Sequence, residues 1–106
     1  MKLIICMFLF AILLNSQVES VFDGNLNRQV LIEWFGKSVT DNTIDRIDVR
    51  KSNIKTIHPE AFRGLKNLKE LHLEDNTIEK LDSSLFQGLD SLTLIHLNSN
   101  SITTIE

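Results

Sequence analysis

Leu68-Lys69-Glu70-Leu71-His72-Leu73-Glu74-Asp75-Asn76-Thr77-Ile78 is the stretch that decides the fold. Its apolar residues 68, 71, 73 and 78 recur twenty-four positions earlier as Ile44, Ile47, Val49 and Ile54. They recur twenty-four positions later as Leu92, Ile95, Leu97 and Ile102, with Asn100 in phase with Asn76. Further on, Ile57, Leu81 and Ile105 align, as do Phe62 with Phe86, Gly64 with Gly88 and Leu65 with Leu89. Agreement at so many positions with one period is the signature of a repeat array.

Within each unit the alternation Ile47/Val49, Leu71/Leu73 and Ile95/Leu97 predicts a short strand with one buried face. The chain must then turn inward, and the side-chain amides of Asn76 and Asn100 suit the backbone groups that such a turn frees. A curved, non-strand segment is expected next. Phe62 and Phe86 would stack on the far side, and Gly64 and Gly88 would return the chain to the next strand. One unit cannot bury its own apolar edge, so the units must stack.

This pattern resembles the extracellular leucine-rich repeat family in its twenty-four-residue form, as found in Toll-like receptors and secreted leucine-rich repeat proteins. The resemblance covers Ile44 to Glu106, as units 44–67, 68–91 and an incomplete 92–106. It implies an α/β solenoid with a short parallel sheet on the concave face and irregular or short helical segments on the convex face. The activity it implies is the binding of protein or another macromolecule. The chain departs from the family pattern in three places: Ser52 stands where an asparagine belongs, cysteine-rich caps are missing, and the third unit stops about nine residues short of the period. That short unit adds three expectations: a piece of a longer receptor ectodomain, self-association through the uncapped third repeat, and a structural or regulatory chain that stacks on or caps another leucine-rich repeat protein.

Ahead of the repeats, Met1 and Lys2 precede an unbroken apolar run from Leu3 to Leu14, and Val18-Glu19-Ser20 suits a signal peptidase. Residues 1–20 therefore read as a secretory signal peptide; the run is short of the ~20 apolar residues that span a membrane. The mature chain would be secreted, with no membrane insertion. Its removal takes the single cysteine, Cys6, so neither a disulfide nor a cysteine-ligated zinc site is expected. Residues 21–43 fall outside the repeat phase and read as an N-terminal capping segment. There Asp23 or Asn25 would cap a short helix carrying Leu26, Val30, Leu31, Trp34 and Phe35, closed by Gly36. Trp34 would plug the open end of the array.

The 106 residues, with 11 basic against 14 acidic side chains, suit one small domain and lack the basic excess that nucleic acid requires. No nucleophile, zinc-protease, phosphate-loop or dinucleotide motif occurs, so no catalytic residue and no cofactor is expected.

In a parallel array the outward residues of successive strands form rows with steps of about 4.8 Å. The rows read Arg46, Glu70, Leu94; Asp48, His72, His96; Arg50, Glu74, Asn98; and Lys51, Asp75, Ser99. These twelve residues are the candidate partner-binding face. Three rows set a base of the first unit beside an acid of the second, which predicts lateral ion pairs. The row Asp48, His72, His96 has the residue types of a metal site, but rows on a flat sheet diverge and no fourth ligand is evident, so no metal is expected. Adjacent histidines better fit a response to pH. His58, before Pro59, reads as a surface residue.

Overall fold

The computed structural model describes residues 22–106; the signal-peptide expectation for residues 1–20 lies outside them. Strands β2 (Arg46–Asp48), β4 (Glu70–His72) and β6 (Leu94–His96) form a parallel sheet in the order β2-β4-β6. Arg46 pairs with Glu70 and Glu70 with Leu94, so the register equals the sequence period. The ladder runs one step past each strand, Val49 N donating to His72 O and Leu73 N to His96 O at 2.9 Å each. Alternation then sorts the side chains. Ile47, Val49, Leu71 and Leu73 are fully buried, in one core with Leu26, Leu31, Ile54, Phe62, Leu65, Leu68 and Ile78.

After each strand the backbone enters the left-handed region at Lys51, Asp75 and Ser99 and turns inward, where the asparagine takes over. Asn76 Oδ1 accepts from Ser52 N at 2.9 Å and Ile54 N at 3.1 Å, while its Nδ2 donates to Val49 O and Leu73 O. Asn100 repeats this one unit on, accepting from Ile78 N and donating to Leu73 O and Leu97 O. The asparagine therefore reaches backward, tying its own turn to that of the preceding unit. That direction explains Ser52: the residues 24 and 22 positions before it, Arg28 and Val30, lie in a helix rather than in such a turn.

The segment expected to be non-strand is a second line of short parallel pairs. β3 (Thr56–Ile57) pairs with β1 (Asn25–Leu26), and β5 (Lys80–Leu81) with β7 (Thr104–Ile105). The reason is local: Ile57 and Leu81 point inward from extended backbone, and the free amides find the carbonyls of the unit before, as Thr103 N finds Glu79 O. Phe62 is fully buried, whereas Phe86, at the end of a 3-10 turn over Ser83–Phe86, is only partly so; the aromatic pairs among the described residues are elsewhere. Gly64 and Gly88 turn the chain at φ 79° and 78°.

The N-terminal segment carries α1 (Arg28–Phe35) and α2 (Lys37–Thr40). Neither Asp23 nor Asn25 caps α1. Asn27 does, its side chain accepting from Val30 N at 3.0 Å, because Asn25 and Leu26 are drawn into β1 and Asp23 accepts from Asn25 N to lead the chain there. Gly36 ends α1 at φ 69°. Trp34 packs against the core with its ring 4.9 Å from that of Phe22. Arg28 Nη1 donates to Arg63 O at 2.9 Å, and Asn67 Nδ2 to Asn42 O at 2.7 Å, fastening this segment to the first unit.

Burial declines along the array. Ile95, the counterpart of the sealed Leu71, is 37% exposed, and Ile105 is 69% exposed. Among the described residues no helix is long and apolar enough to cross a membrane.

Candidate functional site

The outer face of the β2-β4-β6 sheet brings together all twelve residues singled out from the sequence. Register places Arg46, Glu70 and Leu94 in one row and Asp48, His72 and His96 in the next. The rows of Arg50, Glu74, Asn98 and of Lys51, Asp75, Ser99 follow in step, since Lys51 N reaches Glu74 O and Asp75 N reaches Asn98 O.

The expected lateral ion pairs form in one row. Arg46 Nη1 stands 4.0 Å from Glu70 Oε2. Arg50 turns to its own strand, Nε to Asp48 Oδ1 at 2.9 Å, rather than to Glu74, and Arg46 Nη2 meets the other Asp48 oxygen at 3.4 Å. Burial works against the charge on Asp48, but the hydrogen bonds and field of Arg50, with help from Arg46, outweigh it and hold the carboxyl below its usual range. Asp48 is thus enclosed by two arginines and does not join the histidines of its row.

The histidines find a different acid. Residues two apart on a strand share a face, and a diagonal neighbour on the next strand lies within reach of a long side chain. Glu74 therefore meets both His72 of its own strand and His96 of the next. Its Oε2 lies 2.8 Å from His96 Nδ1, and its Oε1 lies 3.6 Å from His72 Nδ1. The imidazole rings stand edge to face with centroids 4.9 Å apart, and Glu70 Oε1 lies 3.4 Å from His72 Nε2. His72 and Glu74 are buried although they occupy outward positions, because β4 has a strand on either side. Burial penalises the Glu74 charge; the hydrogen bond to His96, its backbone bond and the field of both imidazoles outweigh that and lower its pKa.

Reading along rows missed this triad. The signal that finds it is the diagonal from residue 74 to residue 96, combined with the i, i+2 pair 72 and 74. With His72 and Glu74 sealed, the surface open to a partner consists of Arg46, Arg50, Lys51, Asp75, Leu94, Asn98 and Ser99, with Asp48, Glu70 and His96 half-buried among them. Leu94 is 36% exposed in a row whose other members are charged. His58 is exposed, away from this face, and its Nδ1 accepts from Glu60 N in a turn.

A family model described as a leucine rich repeat matches residues 42–106, more than half of the chain. Comparison with curated proteins and with solved structures gave no match.

Proposed function

The chain belongs to the leucine-rich repeat family, and from that premise we propose that it is a secreted or extracellular protein-binding module whose contact surface is the outer, concave face of the β2-β4-β6 sheet. Repeats of this family commonly mediate protein–protein binding and are typically non-enzymatic. The observation that carries the choice of surface is Leu94. It stands on the outward row beyond Arg46 and Glu70, more than a third exposed, on the strand that leads through His96 to the uncharged, exposed Asn98 and Ser99. An apolar anchor within a polar, partly charged rim is the usual anatomy of a protein contact. The twenty-four-residue period, of the type found in Toll-like receptors, and the amino-terminal run from Leu3 to Leu14 support the extracellular assignment.

A photo-crosslinking residue at Ser99 should capture protein from the medium of expressing cells, one at Lys66, outside the sheet, should not, and Leu94→Asp should abolish the Ser99 product. Equal products from both positions, or indifference to Leu94→Asp, would remove this face from consideration.

A second reading is favoured by Ile95 and Ile105, the apolar residues left open on the β6 and β7 edges. A further repeat of the same array, or one on another chain, would cover them, so that the chain stacks on a leucine-rich repeat partner. Sedimentation at rising concentration distinguishes the readings: association abolished by Ile105→Asp supports stacking, and a monomer throughout excludes self-stacking.

A further inference from the structure

We propose that His72, Glu74 and His96 form a binding site for one divalent transition-metal ion of the zinc class, independently of whether the face binds protein. One ligand atom from each residue lies within 4.8 Å of the others, and two of the three side chains are buried. Two ligands each ~2.1 Å from a tetrahedral ion stand about 3.4 Å apart. His72 Nδ1 and Glu74 Oε1, at 3.6 Å, are already near that separation.

These two atoms are the buried side-chain polar atoms without a hydrogen-bond partner among the described residues. Their separation is too long for a hydrogen bond. The hydrogen bond from His96 Nδ1 to Glu74 Oε2 accounts for one half of the carboxylate and leaves the other unexplained; an ion bound through that nitrogen would displace its proton to solvent or to Nε2. Glu70 Oε1, at 3.4 Å from His72 Nε2, is placed to accept a hydrogen bond from that nitrogen. In the tautomer with the proton on Nε2, Nδ1 presents a lone pair toward a carboxylate oxygen. Two acceptors facing one another under cover are costly, and a cation between them relieves both. The carboxylate behind the outer nitrogen is also the arrangement that orients a metal-bound histidine.

The donor set selects the ion. Two imidazole nitrogens and a carboxylate suit zinc and its neighbours, whereas calcium and magnesium prefer oxygen alone. Arg50 lies within the field of Glu74 but is engaged by Asp48, so it does not occupy the position. His96, with its side chain 41% exposed, is the side on which the site opens, leaving the remaining coordination to water or to a donor from outside.

The full chain, freed of metal by chelation, is titrated with Zn2+ alone and separately with Co2+, whose visible absorption reports coordination. One equivalent should bind, the melting temperature should rise, and Mg2+ and Ca2+ should do neither. His96→Ala and Glu74→Gln should each weaken Zn2+ binding by more than about tenfold, and His58→Ala should leave it unchanged. His96 is half-open and Glu74→Gln preserves shape, so both variants report on the site even where His72→Ala fails to fold. Absence of stoichiometric Zn2+ binding, or binding that survives His96→Ala and Glu74→Gln or follows His58, overturns the assignment.

Discussion

Asn76→Ala tests the device that joins one unit to the next. The substitution removes the acceptor that serves Ile54 N at 3.1 Å and Ser52 N at 2.9 Å, together with the donor that serves Val49 O at 3.0 Å. Leu73 O is less affected, because Asn100 Nδ2 also reaches it at 2.9 Å. Asn76 is buried among these groups, so water cannot simply replace the amide. Each buried group left unpaired costs about 1–3 kcal/mol, and the two bonds classed as buried, those of Ile54 N and Val49 O, place the loss at about 2–6 kcal/mol. That is a large share of the ~5–15 kcal/mol that holds a small domain together. At about 4–8 °C per kcal/mol, the melting temperature should fall by at least about 8 °C. Trp34 fluorescence during thermal and urea unfolding reads the change. Asn76→Asp keeps the acceptor but turns a second oxygen toward Val49 O and Leu73 O, so it should destabilise at least as much as alanine. Asn100→Ala should cost less, since its Oδ1 serves Ile78 N in a partly buried setting. If Asn76→Ala and Asn76→Asp both melt within about 2 °C of the wild type, the backward-reaching amide does not hold the units together.

Ser52→Asn, which restores the repeat pattern, should change stability by less than about 0.5 kcal/mol in urea unfolding, because Val30 N, the counterpart of Ile54 N, already has Asn27 as its acceptor. Gly88→Ala should cost about 1–2 kcal/mol by the same assay, since φ is 78° and an added Cβ would meet nothing within 4 Å, leaving backbone strain alone; an unchanged or raised stability would show that the turn does not need this conformation. Asp82 accepts from Ser84 Oγ at 2.7 Å and Ser84 N at 2.9 Å, bonds that lower its pKa against a small opposing effect of burial. A carboxyl depressed in the folded state contributes fully above its unfolded value of about 3.9 and loses that contribution as pH falls through the folded value. Asp82→Asn, which keeps an acceptor but does not titrate, should therefore lose less melting temperature than the wild type between about pH 5 and about pH 2.5; parallel curves would count against the cap.

The repeat was legible because it is written in residues whose roles are fixed by size and polarity alone. Leu71 and Leu73 must be inward if Glu70 and His72 are outward, and a common period transfers that assignment to the neighbouring strands in register. Asn76 and Asn100 were legible for a similar reason: a turn that frees amides and carbonyls together needs a side chain offering both an acceptor and donors. The second line of strands was not, because two-residue pairs such as Lys80–Leu81 with Thr104–Ile105 leave no alternation long enough to read. The cap of α1 was misplaced by a few residues because Asn25 serves a strand partner, Thr56, thirty-one positions away in the chain. No local signal announces that competition.

The outer face shows most clearly how far such reading goes. Its rows follow from period and register, yet the side chains on them separate into two populations by reach. Short steps within a strand captured Asp48 between Arg46 and Arg50, although its row set it beside a histidine. A diagonal step took Glu74 from the arginine of its row to His96. The result is that charge which reads as a continuous surface is divided: Asp48 is neutralised by its own strand, and Glu74 is drawn under cover with His72. What remains open in the third unit is Leu94 with Asn98 and Ser99. The face therefore presents a charged band from the first unit beside an uncharged strip with one apolar side chain, and it is the burial of the His72–Glu74 pair between them that makes the division.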